Sequence, residues 1–386
     1  MTLQLLATGQ VDPSFGAGGG ITTTTPTLTT TSRVPYTTVH LALATDGSVY
    51  AIARPAYGSY GTEFVRVTAD GQRDDAFSTN FLTSTLFLHE TNDSLDDALV
   101  FDSHGRFYLS ARYSDGAQTQ QRLIRFNSNG TVDATNPVSD TTGELGIAGQ
   151  RLLRSSGKLL VVSGGGSRYA GGPLTLWRFL EDGSLDTTFG NSGQSTILHN
   201  ATPGPELIAQ AGDAMPLVDM YCDGTDRYGC ASTHVHLVRV RADGTIDPAF
   251  GTNGDITLKF DQQVFGPTST DQIIIEDNNS YSTPGTMAFT RLMLNGAIDS
   301  SYGVSGTVTM TVRNPLWFVC ASVQADDALV VAYGEPDGAG LILRRIDPGG
   351  HTDAAFGYLS SLQIFGTLYG PRVNSAGRRL GPVERT

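Results

Sequence analysis

Apolar and polar residues alternate position by position along much of the chain, which predicts β-strands, because successive side chains of an extended backbone point to opposite faces. The pattern is plain in EFVRVTADG (63–71), RLIRFNSNG (122–130), LTLWRFLEDG (174–183), HLVRVRADG (236–244), FTRLMLNG (289–296) and LILRRIDPGG (341–350). Most of these runs end in Asp-Gly or Asn-Gly, the dipeptides that tight hairpin turns demand. A second class of hairpin precedes them, as in LALATDGSVYAIA from Leu41, ALVFDSHGRFYLSA from Ala98 and RLLRSSGKLLVVS from Arg151. Short apolar-alternating pieces follow, namely GGITTT, GQSTIL, GDITLKF and GTVTMTV. No helical periodicity of useful length is present, so the expectation is four strands per unit and no helix.

Between the runs a motif recurs: Gly, two residues, Asp, two residues, an aromatic. Its aspartates are Asp12, Asp74, Asp133, Asp186, Asp247, Asp299 and Asp353, spaced 62, 59, 53, 61, 52 and 54 residues apart. The aromatics are Phe15, Phe77, Phe189, Phe250, Tyr302 and Phe356, while the third copy has Asn136 in that place. Seven four-stranded units of about this length are the signature of an all-β, seven-bladed β-propeller of four-stranded antiparallel blades, in which each blade needs its neighbours to cover its faces. The expected blades are approximately 12–73, 74–132, 133–185, 186–246, 247–298 and 299–352, with 353–386 completed by 1–11. The N-terminal strand is thus expected to complete the C-terminal blade and close the ring, leaving only short sheet edges.

The units resemble the bacterial delta-60 repeat family, most clearly in LVRVRADGTIDPAFGTNGDITL from Leu237 and WRFLEDGSLDTTFGNSGQSTI from Trp177. The resemblance covers essentially the whole chain. It departs where family units carry Ala-Gly, for which this chain has Ala53-Arg54 and Ala111-Arg112. It implies a propeller-type repeat protein of bacterial, often surface or secreted, context and brings no established catalytic residues.

Composition narrows the function. With 25 basic and 38 acidic side chains the net charge is −13, and the lysines are only Lys158 and Lys259. Such a chain lacks the footprint of a duplex nucleic-acid binder, whose affinity comes largely from neutralising phosphates. No apolar run is long enough to span a bilayer as a helix. MTLQLLATG at the start has no basic region and too short an apolar stretch for a secretory leader, so an extracellular or cell-surface location implies leaderless export or a trimmed leader, the alternative being the cytoplasm. Cys222 and Cys230 flank DGTDRYG and lie within reach of each other across a hairpin, a candidate disulfide weighed evenly against two thiols.

The repeated aspartates read as architectural. Asp two residues past a turn can accept from its own downstream amides, and the aromatic can pack between sheets. His234 and His236 share a strand face at a spacing metals use, yet no carboxylate or cysteine lies near them in sequence, so no metal and no cofactor is expected. The Gly-rich stretches at Gly16 and Gly164 lack the lysine of a phosphate loop, and no nucleophile elbow or zinc-protease motif occurs. Asp74-Asp75, Asp96-Asp97 and Asp326-Asp327 read as solvated turn residues.

The units differ most in the loops after the second hairpin. There Arg54 with Tyr57 and Tyr60, Arg112 with Tyr113, and Arg168 with Tyr169 recur at nearly equivalent places, with Tyr333 in a further loop of this kind. Tyrosine rings stack on sugars and guanidinium forks bind hydroxyls and carboxylates, so these residues are the candidate ligand site. The expected function is a non-catalytic binding or scaffold module with a glycan or protein partner. The alternatives are a propeller enzyme of lyase, hydrolase or lactonase type with its site in the central channel, and a structural part of a secreted or toxin-like assembly.

Overall fold

The computed structural model describes residues 2–3, 14, 20–21, 36–44, 46–55, 63–82, 99–102, 104–114, 119–133, 151–155, 157–164, 172–201, 206–208, 210, 215–222, 225–226, 229–230, 233–259, 262–279, 285–312, 318–334 and 341–356. The chain is an all-β, propeller-like structure built from successive antiparallel sheets. The sixth unit shows the plan best: Gln263–Phe265, Ile273–Asn279, Gly285–Leu292 and Thr307–Val312 form a four-stranded meander in chain order. The same order runs through Arg151–Ser155, Lys158–Gly164, Gly172–Phe179 and Gln194–Ala201 in the fourth. Three described strands remain in the second unit (36–67), the third (100–126) and the seventh (318–346).

The motif lies within a sheet rather than between two. Gly285–Leu292 pairs with Thr307–Val312, placing Thr286 opposite Thr311 and Phe289 opposite Val308, and the sixth aspartate, Asp299, lies in the connection. In the fourth, fifth and sixth units, boundaries drawn at Asp186, Asp247 and Asp299 fall between two paired strands of one sheet. The reason is local: the motif is a tight reversal, and a reversal returns the chain beside the strand it has just left. In the first unit the described pairing is Thr2 with Ile21 and Leu3 with Gly20, across the first motif.

Alternation sends every second side chain inward, as in Thr307–Val312, where Val308, Met310 and Val312 are buried and Thr309 and Thr311 exposed. The buried clusters bridge consecutive units, of which the fourth and fifth are also joined edge to edge into one sheet by the pairing of Ala201 with Tyr221. Phe64 and Phe77 of the second unit pack with Phe107 and Phe126 of the third. Tyr108 of the third meets Leu159, Val161 and Phe179 of the fourth. Leu174 and Phe189 of the fourth meet Val238 and Val240 of the fifth, Leu237 and Phe250 of the fifth meet Val264 and Ile273 of the sixth, and Phe289 and Tyr302 of the sixth meet Leu329 and Val331 of the seventh. A core distributed between face-to-face neighbours is what units that cannot bury both faces alone require.

One element overturns the expectation of no helix. Asp75–Leu82 is helical. The second motif, QRDDAFSTNFL, lacks the glycine that follows the aromatic in most other copies. Asp74 instead caps a helix, accepting the Phe77 amide at 3.0 Å, and the helix buries Phe77 and Phe81 in the cluster between the second and third units.

Candidate functional site

The most repeated polar constellation in the chain is an arginine and an aspartate eight residues apart. Arg66 and Asp74, Arg125 and Asp133, Arg178 and Asp186, Arg239 and Asp247, Arg291 and Asp299, and Arg345 and Asp353 are ion pairs. The backbone sets the spacing: the strand enters a turn and comes back, and the aspartate amide donates to the arginine carbonyl, for example Asp186 to Arg178 at 2.8 Å and Asp299 to Arg291 at 2.9 Å. The side chains thus leave neighbouring positions of one short ladder. Asp186 and Asp299 also accept from their own turns, through Thr188 and Ser301.

Burial makes these pairs matter. The side chains of Arg178 and Asp186 are each 5% exposed. Burial alone would raise the Asp186 pKa, yet hydrogen bonds from Thr188 and Lys158 and the charge of Arg178 hold it below the usual carboxylate range. The Ser301 hydroxyl, followed by Arg291, does the same for Asp299. Two of the guanidinium groups also cover the motif aromatic, Arg178 at 4.5 Å from the Phe189 centroid and Arg291 at 4.4 Å from that of Tyr302.

The clamp reaches into the next unit. Arg125 Nη1 donates to the Glu181 carbonyl at 2.5 Å and Arg291 Nη1 to that of Pro348 at 2.6 Å, while Arg178 and Arg239 bond Ala242 and Leu294. The glycine after the aromatic donates onward as well, Gly190 to Asp243 at 2.7 Å and Gly251 to Asn295 at 2.9 Å. Gly244 of the receiving turn has φ +90°, and a Cβ there would lie 3.1 Å from the Phe189 ring. That turn demands glycine for both conformation and space. The earlier hairpin of the same unit contributes a further partner to the aspartate: Arg106 to Asp133, Lys158 to Asp186 and Gln272 to Asp299.

Reading the sequence missed the arginines, although one stands in each quoted strand run, eight positions before the aspartate, in every copy but the first, which has Gln4. Of the acidic pairs read as solvated, Asp75 and Asp326 are exposed as expected, though paired with Arg73 and Arg345, whereas Asp74 is partly buried and bonded to Arg66, and Asp327 accepts Ser269 of the preceding unit through both amide and hydroxyl at 2.5 Å. Asp96 and Asp97 lie outside the described residues.

The candidate ligand residues are distributed unevenly. Arg54 lies in Val49–Pro55, and Arg112 and Tyr113 in Phe107–Ser114, but their side chains fall outside what is described. Tyr57, Tyr60, Arg168 and Tyr169 fall outside it altogether, as do Asp12 and Phe15. Tyr333 is 6% exposed in the cluster between the sixth and seventh sheets, and its hydroxyl takes a hydrogen bond from Arg344 Nε at 3.3 Å. Its strand position turns the ring inward, so it is a core residue and offers no free face. Cys222 pairs in the backbone with Thr233, and Cys230 with Thr225; their side chains are not described.

His236 does have a carboxylate beside it. Its Nδ1 is 2.6 Å from Asp255 Oδ2, brought from the adjacent strand nineteen residues on. A strand pairing hides such a neighbour from a local search. Among the described residues, Asp102, His104 and Glu181 could each offer a metal ligand within 4.8 Å of the others. Arg106 already fills that place, with Nε 2.6 Å from Asp102 and Nη2 3.2 Å from Glu181. A second cation there would face the guanidinium, so the donor set does not fit a metal.

Residues 109–135 and 154–189 match the family described as "Domain of unknown function (DUF5122) beta-propeller". No curated protein matches in sequence. Solved structures similar to the chain include a protein of unknown function from Dyadobacter fermentans DSM 18053, at 10% identity and TM-score 0.41, covering 83% of this chain and 93% of that one. The polysaccharide lyase Uly1 aligns at 11% identity and TM-score 0.46, over 80% of this chain and 77% of its own. An alpha-L-arabinofuranosidase of Fusarium graminearum, in complex with arabinobiose, aligns at 10% identity and TM-score 0.42, over 81% and 93%.

Proposed function

We propose that the chain is a closed, seven-bladed propeller of delta-60 type that serves as a non-catalytic binding or scaffold module outside the cell. One observation supports this reading: Arg125, Arg178, Arg239 and Arg291 are bonded both to their aspartates and to the turn of the neighbouring unit. Charges spent on assembling blades are poorly placed for chemistry, which leaves recognition to the loops where units differ. Arg54, Tyr57, Tyr60, Arg112, Tyr113, Arg168 and Tyr169 supply stacking rings and forked donors, a chemistry suited to a glycan with hydroxyl and carboxylate groups, or to a protein partner.

The test is a glycan array followed by calorimetry on hits, with Tyr57→Ala, Tyr113→Ala and Tyr169→Ala. Loss of a stacked ring should weaken binding about tenfold or more, since such contacts are worth roughly 1.5 kcal/mol or above when desolvated. Unchanged affinity in all three variants rejects the loop arc, and release of shorter saccharides from a bound polymer replaces the binding module with an enzyme.

A further inference from the structure

Six large apolar side chains are exposed among the described residues, and four of them belong to the sixth unit: Met293 at 40%, Leu294 at 44%, Ile298 at 54% and Val304 at 82%. They stand six and five residues before Asp299, one before it and five after it. The units of Asp74, Asp133, Asp186, Asp247 and Asp353 each carry a polar or charged residue in at least one of these places, namely Arg73, Asn127, Glu181, Arg241 and Asp347, and the unit of Asp12 has alanine in two. The motif turn therefore folds without this apolar set, and its presence in one unit alone has a cause outside the fold.

Local pairing gathers the four. The Met293 amide donates to the Ala297 carbonyl at 2.8 Å, Leu292 bridges to Ile298, and a Cβ on Gly306, two residues beyond Val304, would stand 2.2 Å from Ile298 Cγ2. From Leu292 to Val312 the one charged residue is Asp299, which Arg291 already pairs at 2.8 Å. The turns of the flanking units bring carboxylates: Asp243 is exposed, and Asp347, on the turn whose Gly349 carbonyl accepts the Gly303 amide at 2.9 Å, is 41% exposed in its side chain. Hydrogen bonds from Thr245 and from the His351 amide hold these two carboxyls below the usual carboxylate range. The cations beside them are engaged locally, Arg241 at 3.0 Å from Asp247 and His351 at 3.3 Å from Asp347.

We propose that Met293, Leu294, Ile298 and Val304 are a docking surface for a cationic amphipathic helix of a partner protein, whose apolar face covers them while its lysines or arginines meet Asp243 and Asp347. Charge decides the occupant: a second copy would bring the same acidic flanks and a further net charge of −13. Sugars are held by aromatic faces and polar forks, which these four side chains lack. The turn amides are already bonded, Met293 to Ala297 and Gly296 to Met293, so the turn offers no edge for an added strand.

Fluorescence anisotropy of the full chain with a labelled leucine–lysine peptide of about 14 residues, apolar at helical spacing, tests it. The parent should bind, and the combined variant Met293→Thr, Leu294→Ser, Ile298→Thr, Val304→Thr should bind about tenfold or more weakly. These replacements are the residues found at the same places in other units, Thr68, Ser128, Thr352 and Thr252, so the variant keeps the fold, which its melting curve checks. Asp243→Asn with Asp347→Asn should weaken binding about threefold or more at low salt and leave it unchanged at about 1 M. No binding by the parent, or equal affinity in the combined variant, overturns the surface. Equal affinity for a leucine–glutamate peptide of the same pattern overturns the cationic occupant. A dimer by light scattering that the combined variant loses gives the surface to a second copy, and flotation with phosphatidylcholine vesicles that it loses gives the surface to lipid; either overturns the assignment. Tyr57, Tyr113 and Tyr169 enter none of these readouts.

Discussion

Truncating Asp186 to alanine should be among the most damaging single changes available in the described sheets. The substitution removes the acceptor of Arg178 Nε at 2.8 Å, of Lys158 Nζ at 3.1 Å and of the Thr188 amide and hydroxyl at 3.1 and 2.5 Å. It leaves a guanidinium that is 5% exposed without its counter-charge. Breaking a buried pair from one side costs about 3–5 kcal/mol, because the remaining charge keeps its desolvation penalty. At about 2.1 cal/mol/K per residue the 386-residue chain has an unfolding entropy near 0.8 kcal/mol/K, so Tm should fall by about 4–6 °C. Asp277→Ala is the control: Lys259 opposite it is 67% exposed, and such a pair contributes about 1 kcal/mol or less, hence about 1 °C. Scanning calorimetry at pH 7, with a urea titration to check that the slope is unchanged, reads both. Equal shifts in the two variants, or a shift below about 1 °C for Asp186→Ala, would refute the view that the clamp holds the units together.

Two further outcomes follow from the same junctions. Tyr302 occupies the aromatic position held by phenylalanine in the units of Phe77, Phe189, Phe250 and Phe356, its hydroxyl is buried without a hydrogen-bond partner among the described residues, and burial pushes its pKa up to about 12. Tyr302→Phe should therefore raise stability by about 1 kcal/mol by removing an unsatisfied buried group, and a lower urea midpoint for the variant would contradict that. Because the folded-state pKa values of Asp186 and Asp299 are depressed, their contribution is fully present above the unfolded value of about 3.9 and is lost as pH falls from about 5 through the folded values. Tm should be insensitive to these two groups between pH 6 and 8 and drop below about pH 5, with a shallower drop in Asp299→Asn; an equally steep acid limb in that variant would remove Asp299 from the account.

The strand runs and their turn dipeptides were legible because period-two alternation and Asp-Gly turns are local signals. So was the motif, since it repeats. What the aspartates bond to was not, although Arg178 and Arg291 stand in plain view, because a ladder pairing joins residues that a short sequence window treats as separate. The helix Asp75–Leu82 was missed for a related reason: eight residues hold too little periodicity, and the informative sign is a negative one, the missing glycine after Phe77. Tyr333 looked like a loop aromatic because it ends an apolar run just before a Gly-rich segment, yet strand parity decides which way it faces, and parity put it inside. His236 and Asp255 met through strand pairing that neither one's neighbourhood announces.

The incoming turn of the fifth unit makes the same bonds to the fourth as that of the sixth makes to the fifth, so the two joints share a coupling at the turn, although only the former adds an edge pairing, Ala201 with Tyr221. An additional copy spliced in at such a joint would meet matching surfaces on both sides. Hybrids that exchange the incoming turn of the fifth for that of the sixth should therefore still assemble.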